Sequence, residues 1–341
     1  MAPAPPPHAL EQLRACLRAF PDRPTTEIDL ELPGFWELAR NNGVGVLVAS
    51  QLGVLPSVRD LHRAQAAQGI RVLSALKVVL KTLEAAGVAA LPLKGPVLAA
   101  RLYGDFTLRP TSDVDVLVHE SDLQRAMAAL EAAGAELSPE YAENRGFFER
   151  YHHHLGLHFR GLLVELHQRP SSRVATRFPS EALFMRARVQ ELLELRVRVA
   201  DPIDELIFLA LHAAGHNLER ELWLLDLKML ARLAPLDWDA LEFRTRAIRA
   251  RRAVGAALLA AEERVGFPAQ DMPAAWRRSA SRDTRILPRS WAVEVPQTAL
   301  ESVLNLASDA VWSDSRARGA AYFAVRVMSA SWRSALRRVK R

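Results

Sequence analysis

The chain has 341 residues, half of them hydrophobic and a quarter charged, with one cysteine, Cys16, and a formal net charge of +6. That balance suits a globular protein of about two domains and excludes global disorder, a disulfide framework and a multi-cysteine zinc site; with no spanning apolar run and no secretory pattern in MAPAPPPHALEQLRA, a cytoplasmic protein is expected. The positive excess sits at one end, where Arg316 to Arg341 hold eight Lys or Arg and no acid, leaving residues 1–315 at −2 and excluding a body built to neutralise a long polynucleotide.

In chain order, APAPPP at residues 2–7 is a polyproline-like leader, followed by a short helix through Phe20. Phe35 to Gln51 reads as one helix despite Gly43 and Gly45, and Val58 to Ala86 as a longer one ended by Gly87. Val88 to Leu93 suits a short buried strand, and a helix from Pro96 to Tyr103 follows. Asp113 to Val118 (DVDVLV) alternates strictly, with Asp113, Asp115 and Leu117 on one face and three valines on the other. Ser121 or Asp122 caps a helix that stops at Gly134; His154–Arg160 and Leu162–His167 read as strands around a tight turn.

Arg196 to Val199 is a last strand, and Asp201-Pro202 opens a helical bundle extending to Val265. Gly266 to Pro296, rich in Pro, Ser and Arg, reads as a surface loop. The expected organisation is therefore α+β, a small mixed β-sheet with helices. Its regions are N-terminal helices (1–86), a sheet-bearing core (87–200), a C-terminal helical bundle (201–297) and a basic amphipathic tail (298–341).

Two aspartates on one face of a Val and Leu strand are costly unless something binds them, and Mg²⁺ or Mn²⁺ is the natural occupant, because such ions take one or two carboxylates with water and phosphate oxygens. Glu165, in the apolar run LLVELH, is a third carboxylate that converges with the pair if the two strands are neighbours; an edge-strand glutamate facing water is the alternative.

The run Gly87 to Glu136, with LPLKG, Arg109 and DVDVLV, resembles the uncharacterised nucleotidyltransferase family, which has a DNA polymerase beta-like fold. LVELH (Leu163–His167) fits that family's later acid-bearing strand, LALHAAGHNLERELWLLDL (Leu209–Leu227) fits a helical segment, and the resemblance covers about residues 30–265. It implies transfer of a nucleoside monophosphate from a nucleoside triphosphate such as ATP to an acceptor, with Asp113, Asp115 and Glu165 holding the metal. In place of the wider superfamily's Gly-Gly or Gly-Ser loop stands Lys94-Gly95, where the glycine still lets backbone approach phosphate and the lysine adds a point charge. Arg109 is expected to bridge phosphates or pair with the acids, and His212 and His216 to meet nucleotide or acceptor if they face the cleft.

His212 with His216, or His152, His153 and His154 with His158, could in principle bind zinc. An HxxxH pair needs further ligands, however, and the nearby acids form no zinc pattern, so helix histidines packing toward the sheet are expected instead. Asp226 is a candidate partner for one imidazole, and Trp223 reads as core. In the tail, Tyr322, Val325, Met328, Trp332, Leu336 and Val339 form an apolar stripe with Arg326, Arg333, Arg337 and Arg341 on another face, a basic amphipathic helix suited to its own domain, an anionic membrane surface, an RNA or a partner protein. The acceptor expected from the −2 body is a small molecule or peptide, with nucleic acid disfavoured. An inactive nucleotide-binding relative, or an enzyme modifying RNA or protein, is the alternative.

Overall fold

The computed structural model describes residues 7–142, 146, 149, 152–172, 176–233 and 235–284, with isolated positions at 314, 320 and 324. Helix α1 spans Pro7–Ala19. The single helix expected over Phe35 to Gln51 is two, α2 (Phe35–Asn41) and α3 (Gly45–Leu52). Gly43 has φ +75°, and a Cβ there would meet Leu222 Cδ2 at 3.0 Å, so the chain turns where only glycine fits. Buried Asn42 secures the break, its amide donating to Leu38 O while its Oδ1 accepts from Glu221 N. Helix α4 (Arg59–Ala85) follows as expected.

The sheet is built from β1 (Ala90–Pro92), β2 (Val114–Val118), β3 (Glu136–Leu137), β4 (His154–Phe159) and β5 (Leu162–His167). Between these strands lie α5 (Gly95–Tyr103), α6 (Leu123–Ala132) and the single turn α7 (Pro139–Ala142). The strand order is β1-β2-β5-β4-β3, with β2 and β5 parallel and the other pairs antiparallel. Alternation sorts the two faces. Val114, Val116, Val118, Val164 and Leu166 join Val72 and Val79 of α4 and Met127 and Leu130 of α6 in one core.

Beyond the sheet, α8 (Ser180–Arg186) leads to a separate hairpin, β6 (Arg188–Leu192) paired with β7 (Leu195–Val199). Strand β6 has no apolar alternation and is almost wholly exposed, which is why only its partner was legible. Helices α9 (Pro202–Gly215), α10 (Glu221–Leu233), α11 (Trp238–Ala247) and α12 (Arg251–Val265) form the bundle. Asp201 caps α9 by accepting from Ile203 N, as its sequence implied. A second core joins α1–α3 to this bundle and reaches the sheet through Leu91, Leu93 and Leu117.

The loop expected over Gly266 to Pro296 is corrected in its middle, where α13 spans Ala274–Thr284. The cause is one aromatic: Trp276 is fully buried, donates Nε1 to Arg251 O, and occupies the space that a Cβ on Gly255 would take. Most of the basic tail lies outside the described residues. Asp314 is described, and its carboxylate accepts from Arg251 N and Arg252 N, capping α12 where Ala250 offers no side-chain cap. Among the described residues no helix is long and apolar enough to cross a membrane.

Candidate active site

A cavity of about 610 Å³ lies between the sheet and the bundle. Its sheet wall carries the acids. Asp115 on β2 stands in register with Glu165 on parallel β5, and Asp113 lies just before β2 on the same face. Glu165 belongs to an interior strand flanked by β2 and β4, so the edge-strand alternative is excluded. Two residues on along β5, His167 points to the same face, in register with His154 of β4.

These side chains form one charged cluster. Lys94, which ends the β1 connection and precedes α5, brings Nζ to 3.1 Å from Asp115 Oδ2; His167 Nε2 lies 3.1 Å from Asp115 Oδ1 and 3.4 Å from Glu165 Oε2. His154 Nε2 lies 3.7 Å from Glu165 Oε1 and 3.1 Å from the Tyr141 hydroxyl. Tyr141 reaches this far because position 156 is glycine; a Cβ there would meet the Tyr141 ring at 2.8 Å.

Burial penalises each charge, and the neighbours decide which survives. Burial raises the Asp115 carboxyl, but Lys94 and His167 outweigh it and hold it well below its usual range. Glu165 is likewise pushed up by burial and brought below its ordinary value by His167 and His154. Asp113 goes the other way, raised by burial and by repulsion from Asp115. Lys94 loses to burial but gains more from Asp115, Asp113 and Glu165, and so stays above its ordinary value. Burial depresses His154 to about 4, whereas the hydrogen bonds of His167 to Asp115 and Glu165 overcome burial and raise it.

Gly95 opens α5 with φ +67° and nothing within 4 Å of where a Cβ would stand, so an open glycine marks the start of a helix beside Lys94. Two contacts tie α5 to the bundle: Arg101 Nη1 donates to both Glu205 oxygens at 2.7 and 2.8 Å, and the Tyr103 hydroxyl donates to Asp226 Oδ1 at 2.7 Å. Arg109 pairs with an acid on the bundle, none of those on the sheet. Its Nε donates to Asp226 at 3.0 Å, its Nη2 to Asp226 at 2.8 Å and its Nη1 to Pro110 O at 3.3 Å, so the guanidinium is spent inside the protein. Asp226 is therefore the partner of Arg109 and Tyr103, a correction to its expected imidazole bond.

The helical wall presents His212 from α9 and His216 at its C-cap, both lining the cavity. Their ring centroids are 4.8 Å apart, and Trp223 stands edge-on to His212 at 5.1 Å and tilted to His216 at 4.9 Å. Burial and nearby Lys94 hold His212 well below its ordinary value, so it is a neutral imidazole. Trp223 is half-buried, packing on the core while lining the cavity, and the Arg220 guanidinium lies 5.6 Å over its ring.

Sequence reasoning did not assign His154 and His167 to this site. The signal was present: Glu165-x-His167 repeats the spacing of Asp113-x-Asp115, and a period of two puts both members on one face. Asp115, Glu165 and His167 each offer a ligand atom, all within 4.8 Å of one another. Hard carboxylate oxygens with one imidazole fit a divalent cation.

The five-stranded mixed sheet, its flanking helices and its attached bundle make an α+β fold. The chain belongs to the uncharacterised nucleotidyltransferase family, whose model matches residues 31–266. Among curated proteins no sequence match was found. A solved structure of the antibiotic-resistance factor ANT(2'')-Ia aligns at 12% identity over 53% of this chain and 94% of its own, with a TM-score of 0.39. A superposition that loose says nothing about what this chain acts on.

Proposed function

We propose that the protein is a divalent-metal-dependent nucleotidyltransferase that moves a nucleoside monophosphate from a nucleoside triphosphate to a hydroxyl or phosphate of a small-molecule or peptide acceptor. The observation that carries this reading is the register of Asp115 against Glu165, with Asp113 on the same face and Lys94-Gly95 beside them. Asp113, Asp115 and Glu165 would hold Mg²⁺ or Mn²⁺, which when bound neutralises charge on the phosphates and aligns nucleophile and leaving group. Lys94 and the backbone at Gly95 bind the triphosphate. The acceptor oxygen forms a bond to the α-phosphorus as the bond to the bridging oxygen breaks, and pyrophosphate leaves. Glu165, kept ionised by His167 and His154, takes the acceptor proton on a carboxylate oxygen.

His212, His216 and Trp223 supply a ring-lined surface for a base or acceptor ring, with Trp223 edge-on to His212 and tilted to His216. Arg109 acts through Asp226 as a positioning residue, holding the segment ahead of Asp113 against the bundle. The acceptor class follows from cavity size, since about 610 Å³ suits a small ligand or a short peptide end, and from the −2 charge of residues 1–315. Incubation with each nucleoside triphosphate, Mg²⁺ or Mn²⁺ and fractionated metabolites tests this, with pyrophosphate release and label transfer as readouts and Asp113→Asn as control. Two contacts favour the inactive alternative: Lys94 and His167 already compensate Asp115. That alternative requires nucleotide binding without pyrophosphate release under every metal and acceptor.

A further inference from the structure

Beside the carboxylates lies a second cluster of ligating atoms, made of imidazoles. His153, His154 and His167 each offer a nitrogen, and the three nitrogens lie within 4.8 Å of one another. The ring centroids are 4.5 Å apart for His153 and His154, 5.0 Å for His154 and His167, and 5.5 Å for His153 and His167. The backbone fixes this grouping. His154 and His167 are in register across β4 and β5, and His153 O accepts from Gln168 N at 2.9 Å and Arg169 N at 3.3 Å.

The two in-register rings share an asymmetry. Each turns Nε2 toward the acids, His167 at 3.1 Å from Asp115 and His154 at 3.7 Å from Glu165. The opposite nitrogen, Nδ1, is in both cases buried with no hydrogen-bond partner, and the His167 residue is only 3% exposed. A buried ring nitrogen without a partner is costly unless something binds it. An imidazole that offers one nitrogen to a carboxylate and leaves the other bare has the arrangement of a metal ligand backed by its second shell.

We propose that His153, His154 and His167 bind a borderline transition cation of the Zn²⁺ class, at a site that adjoins the carboxylates Asp113, Asp115 and Glu165 that would take Mg²⁺ or Mn²⁺. Three imidazoles with a remaining position for water or an anion suit such an ion, whereas Mg²⁺ prefers oxygen. Nitrogens within 4.8 Å of one another are close enough for side-chain rotation to bring them to a shared ion with Zn–N of about 2.0–2.1 Å. The ion fixes the His167 ring as a donor to Asp115 and the His154 ring against the Tyr141 hydroxyl beside Glu165, and so orients the acids without touching them. The site does not depend on nucleotidyl transfer being the reaction.

The test is Co²⁺, as a spectroscopic stand-in for Zn²⁺, titrated into the full untagged chain free of nucleotide. The expected result is one equivalent bound with ligand-field bands of nitrogen coordination, displaced by Zn²⁺ and unmoved by millimolar Mg²⁺. His153→Gln should weaken binding at least tenfold with the circular dichroism unchanged, while His158→Gln, an exposed histidine outside the group, should bind as the parent does. X-ray absorption of the Zn²⁺-loaded parent, which needs no variant to fold, should count three imidazoles. Displacement by Mg²⁺, equal affinity in His153→Gln, or fewer than two imidazoles in the first shell would overturn the proposal.

Discussion

On the sheet wall of the cavity, Lys94, Asp115, Glu165 and His167 approach one another to between 3.1 and 3.4 Å. On the helical wall, His212, His216 and Trp223 meet as rings with centroids 4.8 to 5.1 Å apart. The first wall is an electrostatic unit in which each ionisation state depends on its neighbours. The second is an aromatic surface whose members can be exchanged one at a time. In the proposed reaction chemistry belongs to the sheet wall and shape selection to the bundle, so variants on the two walls should fail in different ways.

The largest difference should come from Asp115→Asn compared with Asp113→Asn. Both are expected to lower transfer at least ~1000-fold, but only Asp115→Asn should also lower stability, because it leaves Lys94 and His167 without their shared counter-charge. Asp113 is repelled by Asp115, so neutralising it should leave the urea midpoint unchanged or slightly raised. Equal stability losses in the two variants would break the idea that the sheet wall is organised around Asp115.

Next in size is the joint beneath both walls. Asp226→Asn leaves the buried Arg109 guanidinium without a partner charge and should cost about 3–5 kcal/mol in urea unfolding. A loss below about 1 kcal/mol would mean that the bundle and the Asp113 segment are held together by packing alone.

His154 gives a pH signature confined to the sheet wall. It is held at about 4 when folded against 6.5 ordinarily, so as pH falls the unfolded chain takes up the proton first. The stabilisation is intact above about 6.5 and lost as pH falls toward 4, by about 3 kcal/mol for that shift. The raised His167 works in the opposite direction, so the readout is the difference between parent and His154→Gln measured in chelator. Parallel stability profiles from pH 7 to 4 would remove His154 as the cause.

The smallest effect belongs to the helical wall. Trp223→Ala should raise KM for nucleotide or acceptor about 3- to 10-fold while leaving kcat within a factor of about two, the size expected for one aromatic contact. A fall in kcat with unchanged KM would show that this wall takes part in the chemistry.

The elements that were legible are those where a single segment carries its own pattern. DVDVLV and LLVELH announce strands with acids on one face, and Asp201-Pro202 announces a helix start. The unread parts depend on a partner outside the segment itself. Strand β6 is exposed and polar, and exists because β7 pairs with it. Helix α13 exists because Trp276 fills the space beside Gly255. The break at Gly43 requires Leu222, and the pairing of Arg109 with Asp226 joins residues 117 positions apart.

The amino-acid sequence by itself determined the fold class and the acid-bearing strand faces, because a period of two assigns each residue to a face without reference to any other segment. It also carried the family, through LPLKG, DVDVLV and LVELH in their order along the chain. Only the tertiary structure decided that β2 and β5 are neighbours in a register that sets Asp115 against Glu165, that His154 and His167 complete the cluster, and that Arg109 is occupied by Asp226. Those outcomes follow from strand order and buried charge pairing, which are properties of segments brought together by packing; the Glu165-x-His167 spacing gives a shared face but not the neighbour that the face meets.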